Sequence, residues 1–123
     1  MRPGPDKPLI WNRACLRDLG GLPEAVRERI ADALSFARLG TMHPSARPMR
    51  GFRGGVVEIR ADHAGNAYRA IYTAGLATAL YVLHVFQKKS KRGIKTPRRE
   101  IELIRSRLQW ALELERERSH EAS

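Results

Sequence analysis

The sequence has a single cysteine, Cys15, among its 123 residues. One thiol excludes an internal disulfide framework and any zinc site built on several cysteines. Long apolar runs are also missing, since the longest, from Gly75 to Phe86, is shorter than the roughly 20 residues of a membrane-spanning helix. The N-terminus lacks the apolar core of a secretory signal. We therefore expect a cytoplasmic protein with no membrane partner.

Acidic residues are few beside basic ones, with 13 Asp and Glu against 23 Lys and Arg, a formal net charge of +10. Seven of the cations lie between Lys88 and Arg99, a stretch without an acid, whereas residues 113–123 are rich in glutamate. Such clustering predicts that one local surface meets a polyanion. A merely solubilising surface is the alternative.

The apolar patterns predict one α+β domain over residues 1–123, with residues 1–7 as a flexible lead-in and 113–123 as a fraying tail. We expect a small antiparallel sheet of about three to four strands, flanked by helices that include a C-terminal one. The predicted elements are a short edge strand from Pro8 to Cys15, a helix from Pro23 to about Leu39 closed by Gly40, a loop over 40–55, strands at 56–60 and 67–73 joined by a turn at 62–66, a central strand over 78–86, and a helix starting at Thr96-Pro97.

The basic segment between Lys88 and Arg99 joins the end of the central strand to the start of the last helix. Unpaired N–H groups at a helix start attract anions, so the segment predicts a clamp for a phosphate backbone. A solvated loop is the alternative. The candidate phosphate-binding residues are Lys91, Arg92, Lys95, Arg98 and Arg99.

Three residues within the predicted strands are candidates for chemistry. Arg69 lies in mid-strand, and its guanidinium suits either a bidentate phosphate or an ion pair with Glu58. Glu58 by itself is better explained as that partner than as a general base. His84 lies between Leu83 and Val85 and is better explained as a core histidine than as a proton-exchanging group. No spacing suits a metal, so neither metal nor cofactor is predicted.

Four segments, in order, carry a family resemblance. They are E-I-R at 58–60, Y-R-A-I-Y at 68–72, L-H-V-F-Q-K-K at 83–89 and T-P-R-R-E-I at 96–101. From about Leu9 to Leu112 the chain resembles the RelE/ParE toxin superfamily, and more narrowly its phage-derived HigB-type branch. The resemblance implies a toxin of a type II toxin–antitoxin module with a small antiparallel sheet flanked by helices.

The resemblance also implies an activity, since many members cut mRNA on the ribosome without a metal ion. In that chemistry the 2′-hydroxyl attacks the phosphate and cations stabilise the developing charge. By position, Arg69 matches the arginine that holds the scissile phosphate, and Arg60 matches the basic position of the E-I-R strand. Lys88 and Lys89 match a basic pair that stabilises charge or moves protons. Glu58 and His84 are alternative general bases.

The partners implied by the resemblance are a cognate helix-turn-helix antitoxin, mRNA and the A site of the 30S ribosome. The toxin–antitoxin complex would bind operator DNA. Two other functions stay open at this point. One is a ParE-like inhibitor of DNA gyrase without nuclease activity, and the other is a non-catalytic nucleic-acid-binding module.

Overall fold

A computed structural model describes residues 6–89 and 96–122. Five strands form one sheet in the order β1-β5-β4-β3-β2, with α1 and α2 packed on one face and α3 on the other. The α+β class is confirmed, with five strands where three to four were expected. The elements are β1 (Leu9–Trp11), α1 (Arg13–Gly20), α2 (Glu24–Arg38), β2 (Ala46–Pro48), β3 (Val56–His63), β4 (Asn66–Thr73), β5 (Leu80–Lys88) and α3 (Arg98–Ala122).

The segment after β1 differs from its prediction, because Arg13 to Cys15 begin helix α1 and do not extend the edge strand. The Asn12 side chain accepts a hydrogen bond from the backbone N–H of Ala14 at 3.1 Å, which caps the helix. Cys15 is thereby buried against the sheet. Helix α2 confirms the predicted helix to within about a residue at each end.

Strands β3, β4 and β5 form the predicted antiparallel meander. The first two strands run longer than predicted, since His63 pairs with Asn66 and the turn is only Ala64-Gly65. Both turn residues have positive φ, as a tight hairpin requires. Strand β2 falls in the predicted loop. Strand β1 pairs with β5 in parallel, which makes β5 an interior strand as expected.

Both ends of the chain that were predicted as mobile make contacts where they are described. Lys7 donates a hydrogen bond to the Leu76 carbonyl at 2.7 Å, and Asp6 pairs with Arg38. Residues 113–122, predicted as a fraying tail, continue helix α3. Within them Glu115 is buried, because the loop before β5 folds against it. The last helix is therefore attached to the sheet well beyond its middle.

A β-bulge interrupts β5 next to its centre. Ile71 of β4 pairs with His84 whereas Tyr72 pairs with Val82, so Leu83 is the extra residue. The bulge breaks the alternation of side chains between the two faces. Leu83 packs in the apolar cluster that contains Ile104 of α3, and His84 also makes its hydrogen bonds to α3. The bulge thus directs two successive side chains to the same face.

Candidate active site

The strand register collects polar side chains at one end of the face that α3 packs on. Arg60 of β3, Arg69 of β4 and Phe86 of β5 form one row across the sheet. Alternate residues of a strand share a face, so Glu58 and Lys88 lie on this face in the adjacent rows. We call Glu58, Arg60, Asp62, Arg69 and Lys88 the Arg69 cluster.

Ion pairs join the carboxylates and guanidinium groups of the Arg69 cluster. Arg69 Nε lies 3.7 Å from Glu58 Oε2, and Arg69 Nη1 lies 3.2 Å from Asp62 Oδ1. Arg60 Nε donates to Glu58 Oε1 at 3.3 Å. The side chains of Arg69 and Glu58 are 8% and 9% exposed, whereas that of Asp62 is 72% exposed. The predicted pairing of Arg69 with Glu58 is therefore present, at a distance too long for a hydrogen bond.

Arg69 keeps one donor free of a hydrogen bond. Its Nη1 donates to the Tyr68 carbonyl at 2.8 Å, but its buried Nε has no hydrogen-bond acceptor in the part of the chain that the structure describes. A buried donor without an acceptor costs about 1–3 kcal/mol. Such a donor suits an oxygen brought in by a ligand, and a guanidinium is well shaped for phosphate.

Lys88 is buried at the same end of the sheet, with 8% of its surface exposed. Burial lowers the pKa of its ammonium group, and the neighbouring Arg69 and Arg60 lower it further against the opposing effect of Glu58. A lower pKa makes the ammonium group of a lysine a better proton donor. Lys88 therefore combines position and chemistry suited to proton transfer.

His84 is buried, which confirms its interpretation as a core histidine. Its Nε2 lies 2.6 Å from Glu100 Oε1, and its Nδ1 lies 2.8 Å from Arg107 Nη1. Burial lowers the pKa of the imidazole and Arg107 adds to this, although Glu100 opposes both. The ring stacks on Phe86 at a centroid distance of 4.7 Å. His84 thus lies beside the Arg69 cluster with both ring nitrogens engaged.

Lys89 faces away from the Arg69 cluster. With Arg17 of α1 and Arg99 of α3 it lines an open cleft of about 650 Å³ between the two helices. Arg98 and Arg99 are exposed, and Arg98 pairs with Glu102 at 3.8 Å. Of the predicted phosphate-binding residues, Lys91, Arg92 and Lys95 lie outside the described residues. The structure therefore separates Lys88 from Lys89, although the two are adjacent in the chain.

Sequence reasoning missed three residues of this region. The sequence predicts Asp62 in a turn, yet Asp62 forms the shorter of the two ion pairs that Arg69 makes with acidic residues of β3. The alternation of Glu58, Arg60 and Asp62 along one strand is a signal that would have found it. Glu100 and Arg107 hold His84 from α3, and no sequence signal fixes which turn of a helix meets a given strand. Within 6–89 and 96–122, no three or more His, Cys, Asp or Glu residues are grouped as a metal would need.

A family model described as "Phage derived protein Gp49-like (DUF891)" matches residues 17–109, about three quarters of the chain. The chain belongs to this family. The Gp49-like family lies in the RelE, toxin-like group, which confirms the broader part of the resemblance drawn from the motifs. The matched range includes the whole Arg69 cluster together with His84, Glu100 and Arg107. No curated protein and no solved structure gives a significant match.

The longest helix of this Gp49-like chain, α3, has 25 residues. Neither α3 nor any other helix of the described residues is long and apolar enough to cross a membrane.

Proposed function

We propose that this Gp49-like protein is a HigB-type toxin of a type II toxin–antitoxin module, and that it cleaves mRNA on the ribosome in the cytoplasm without a metal ion. The observation that supports this most directly is the Arg69 cluster. A buried guanidinium with a free donor lies there beside a buried lysine and a buried carboxylate. These are the groups that phosphoryl transfer to a 2′-hydroxyl needs.

Arg69 binds the scissile phosphate in this proposal. The Nε that has no acceptor within the described residues donates to one non-bridging oxygen, and the positive charge of the guanidinium, which Asp62 partly offsets, attracts the phosphate. The Nε donor is already oriented because the side chain is buried and its Nη1 donates to the Tyr68 carbonyl. Preoriented donors stabilise the negative charge that develops in the transition state.

Two protons move in the reaction. Glu58 accepts the proton of the attacking 2′-hydroxyl as the bond from that oxygen to phosphorus forms. Lys88 donates a proton to the 5′-oxygen as its bond to phosphorus breaks. The products are a 2′,3′-cyclic phosphate and a free 5′-hydroxyl. We assign the base to Glu58 because both nitrogens of the other candidate, His84, are occupied by α3.

The exposed cations outside the Arg69 cluster have a separate role. We assign to Lys89, Arg98 and Arg99 contacts with phosphates along the RNA, together with Lys91, Arg92 and Lys95. Contacts of this kind determine the affinity for RNA and its salt dependence, and they take no part in the cleavage step. We further propose a cognate helix-turn-helix antitoxin as the protein partner, with operator DNA bound by the complex.

The test is induced expression in bacteria followed by primer extension on abundant transcripts, with wild type beside Arg69→Ala. We expect growth arrest and discrete cleavages in wild type, and neither in Arg69→Ala. Arg29→Ala removes an exposed arginine of helix α2 and is the matched control, which should keep both effects.

Each other outcome contradicts the proposal in a recognisable way. Arrest without cleavage, together with a DNA-damage response, would indicate a gyrase inhibitor. Expression without arrest would indicate a non-catalytic binding module. Cleavage by a folded Arg69→Ala variant would remove the Arg69 cluster as the site while leaving the activity.

A further inference from the structure

The hydrogen bonds of His84 fix where its proton lies. Arg107 has only donors, so the His84 Nδ1 that lies 2.8 Å from Arg107 Nη1 must accept and carries no proton. The neutral ring then has its proton on Nε2, which donates to Glu100 Oε1 at 2.6 Å. A second proton on Nδ1 would place two donors against each other. The imidazole is therefore held neutral in one tautomer.

Helix α3 holds the ring from both sides. Glu100 and Arg107 are seven positions apart, which places them on the same side of the helix two turns apart. Arg107 Nη1 also donates to the Leu83 carbonyl at 3.2 Å and lies 3.9 Å from Cys15 Sγ of α1. Leu83 is the extra residue of the β-bulge. One guanidinium thus joins α3 to the bulge and reaches α1.

The path from this ring to the Arg69 cluster is short. His84 stacks on Phe86, the two rings being inclined by 20°. Phe86 pairs with Arg69 in the neighbouring strand, and Lys88 follows two residues later on the same face. The stack therefore connects the ring that α3 holds to the residue of β5 that pairs with Arg69.

We propose that Glu100, His84 and Arg107 form a positioning triad that places Lys88 against Arg69, and that His84 exchanges no proton during the reaction. The proposal rests on the proposed nuclease function for its kinetic consequence only. Its structural content, a neutral Nε2–H imidazole whose contacts orient the end of β5, stands independently. All three members of the triad lie within the range that the Gp49-like family model matches.

The first test needs no activity. Long-range proton–nitrogen NMR correlations on the wild-type protein should show the neutral Nε2–H tautomer of His84 throughout the neutral pH range. The charged groups that act most strongly on the ring are Glu100 and Arg107 from α3 and Asp18 from α1, and Arg17, Lys89 and Arg99 line the same cleft. An Nδ1–H tautomer or a doubly protonated ring near pH 7 would overturn the proposal.

The second test uses the titration midpoint of Lys88 as a measure of its position. The midpoint is obtained by NMR, from the chemical shift of the carbon next to the ammonium group as a function of pH. In Arg107→Ala we expect the midpoint to move back toward that of an ordinary lysine, because Lys88 is then placed less closely against Arg69. Arg116→Ala removes an exposed arginine of the same helix and should leave the midpoint unchanged. An unmoved midpoint in a folded Arg107→Ala variant would contradict the positioning role.

The third test separates positioning from proton transfer in RNA cleavage. His84→Gln offers an amide oxygen to Arg107 and an amide N–H to Glu100, whereas His84→Ala offers neither. Since a misplacement of about 1 Å can cost on the order of 100-fold in rate, we expect kcat to fall by at least about 10-fold in His84→Ala and to be largely restored in His84→Gln. The pH profile of the Gln variant should match wild type.

The outcomes distinguish the two proposals. If wild type cleaves no RNA, the proposed function fails. The tautomer of His84 and the titration midpoint of Lys88 then still decide whether the triad positions Lys88. If wild type cleaves RNA but a folded His84→Gln is as inactive as His84→Ala, the positioning role fails and His84 is a proton-transfer group. Should His84→Ala not fold, the comparison of His84→Gln with wild type decides the same question.

Discussion

Two buried carboxylates, one on strand β3 and one on helix α3, differ in what surrounds them. Counted over the whole residue, Glu58 and Glu115 are exposed to nearly the same extent, 7% and 8%. Glu115 accepts hydrogen bonds at both oxygens, from Thr78 at 2.7 and 3.0 Å and from Tyr81 at 2.9 Å. Glu58 has guanidinium neighbours, and the Nε of one of them, Arg69, has no hydrogen bond within the described chain. Equal burial therefore accompanies two different kinds of site.

The surroundings of Glu115 are those of a structural group. Burial alone would raise the pKa of this carboxyl, but the hydrogen bonds from Thr78, Tyr81 and Ser119 lower it overall. Burial, and after it the hydrogen bond to Glu115, raise the pKa of Tyr81 to about 12. Two of its donors, Thr78 in the loop before β5 and Tyr81 in β5, attach α3 to the sheet. A carboxylate satisfied in this way has nothing left to offer a ligand.

The largest effect expected from this comparison is on activity, in Glu58→Gln. The amide keeps the shape of the side chain but does not accept the proton of the 2′-hydroxyl, so cleavage should fall by at least about 100-fold. Glu115→Gln is the matched control, and per folded molecule it should cleave at the wild-type rate. Purified variants acting on ribosome-bound mRNA provide the measurement. Wild-type cleavage by Glu58→Gln would exclude Glu58 as the base.

The next effect is on stability, in Glu115→Ala. This change leaves the Tyr81 hydroxyl and the Thr78 N–H without their acceptor, which should lower the free energy of unfolding by about 2–4 kcal/mol. Denaturant unfolding measures it. Glu117→Ala, an exposed neighbour on the same helix, should change the free energy by less than about 0.5 kcal/mol. Equal effects of the two variants would mean that the buried contacts contribute nothing.

The smallest effect concerns the contribution of Lys88 to the pH dependence of the free energy of unfolding. The folded pKa of Lys88 is lowered, so between that pKa and about 10.5 the unfolded chain binds the proton more strongly. Stability should therefore rise with pH in this window, because the unfolded state binds more protons there. Lys88→Met should remove that rise and be more stable near neutral pH by about 1 kcal/mol. A less stable Met variant would mean that the Lys88 charge stabilises the fold.

Much of the fold follows from local patterns in the sequence. Helix α2 and the strands of the meander repeat apolar residues at a fixed period, which is why their positions were predicted. Helix α1 depends on one capping side chain, Asn12, and buries only Cys15, so it left little periodic signal. Strand β2 is three residues long and exists because its partner is β3. Pairing between distant segments is not encoded in either segment alone.

The site was predictable where it depends on strand alternation and not where it depends on packing between elements. Arg69, Glu58 and Arg60 come together through register and alternation alone. The contacts of His84 depend on the bulge at Leu83 and on how α3 sits on the sheet, neither of which has a local signature. The adjacent lysines Lys88 and Lys89 were grouped by sequence, yet they face a buried cluster and an open cleft.

The parallel pairing of β1 with β5 has a consequence for the order of assembly. Leu9 pairs with Leu80, 71 positions later, so the first strand waits for most of the chain to be synthesised before it has a neighbour. The strand that carries His84 and Lys88 is then held by α3, which leaves the ribosome later still. An unfinished chain therefore carries the charges of the site without their arrangement. The arrangement of the site therefore forms only after α3 has been synthesised and has packed on the sheet.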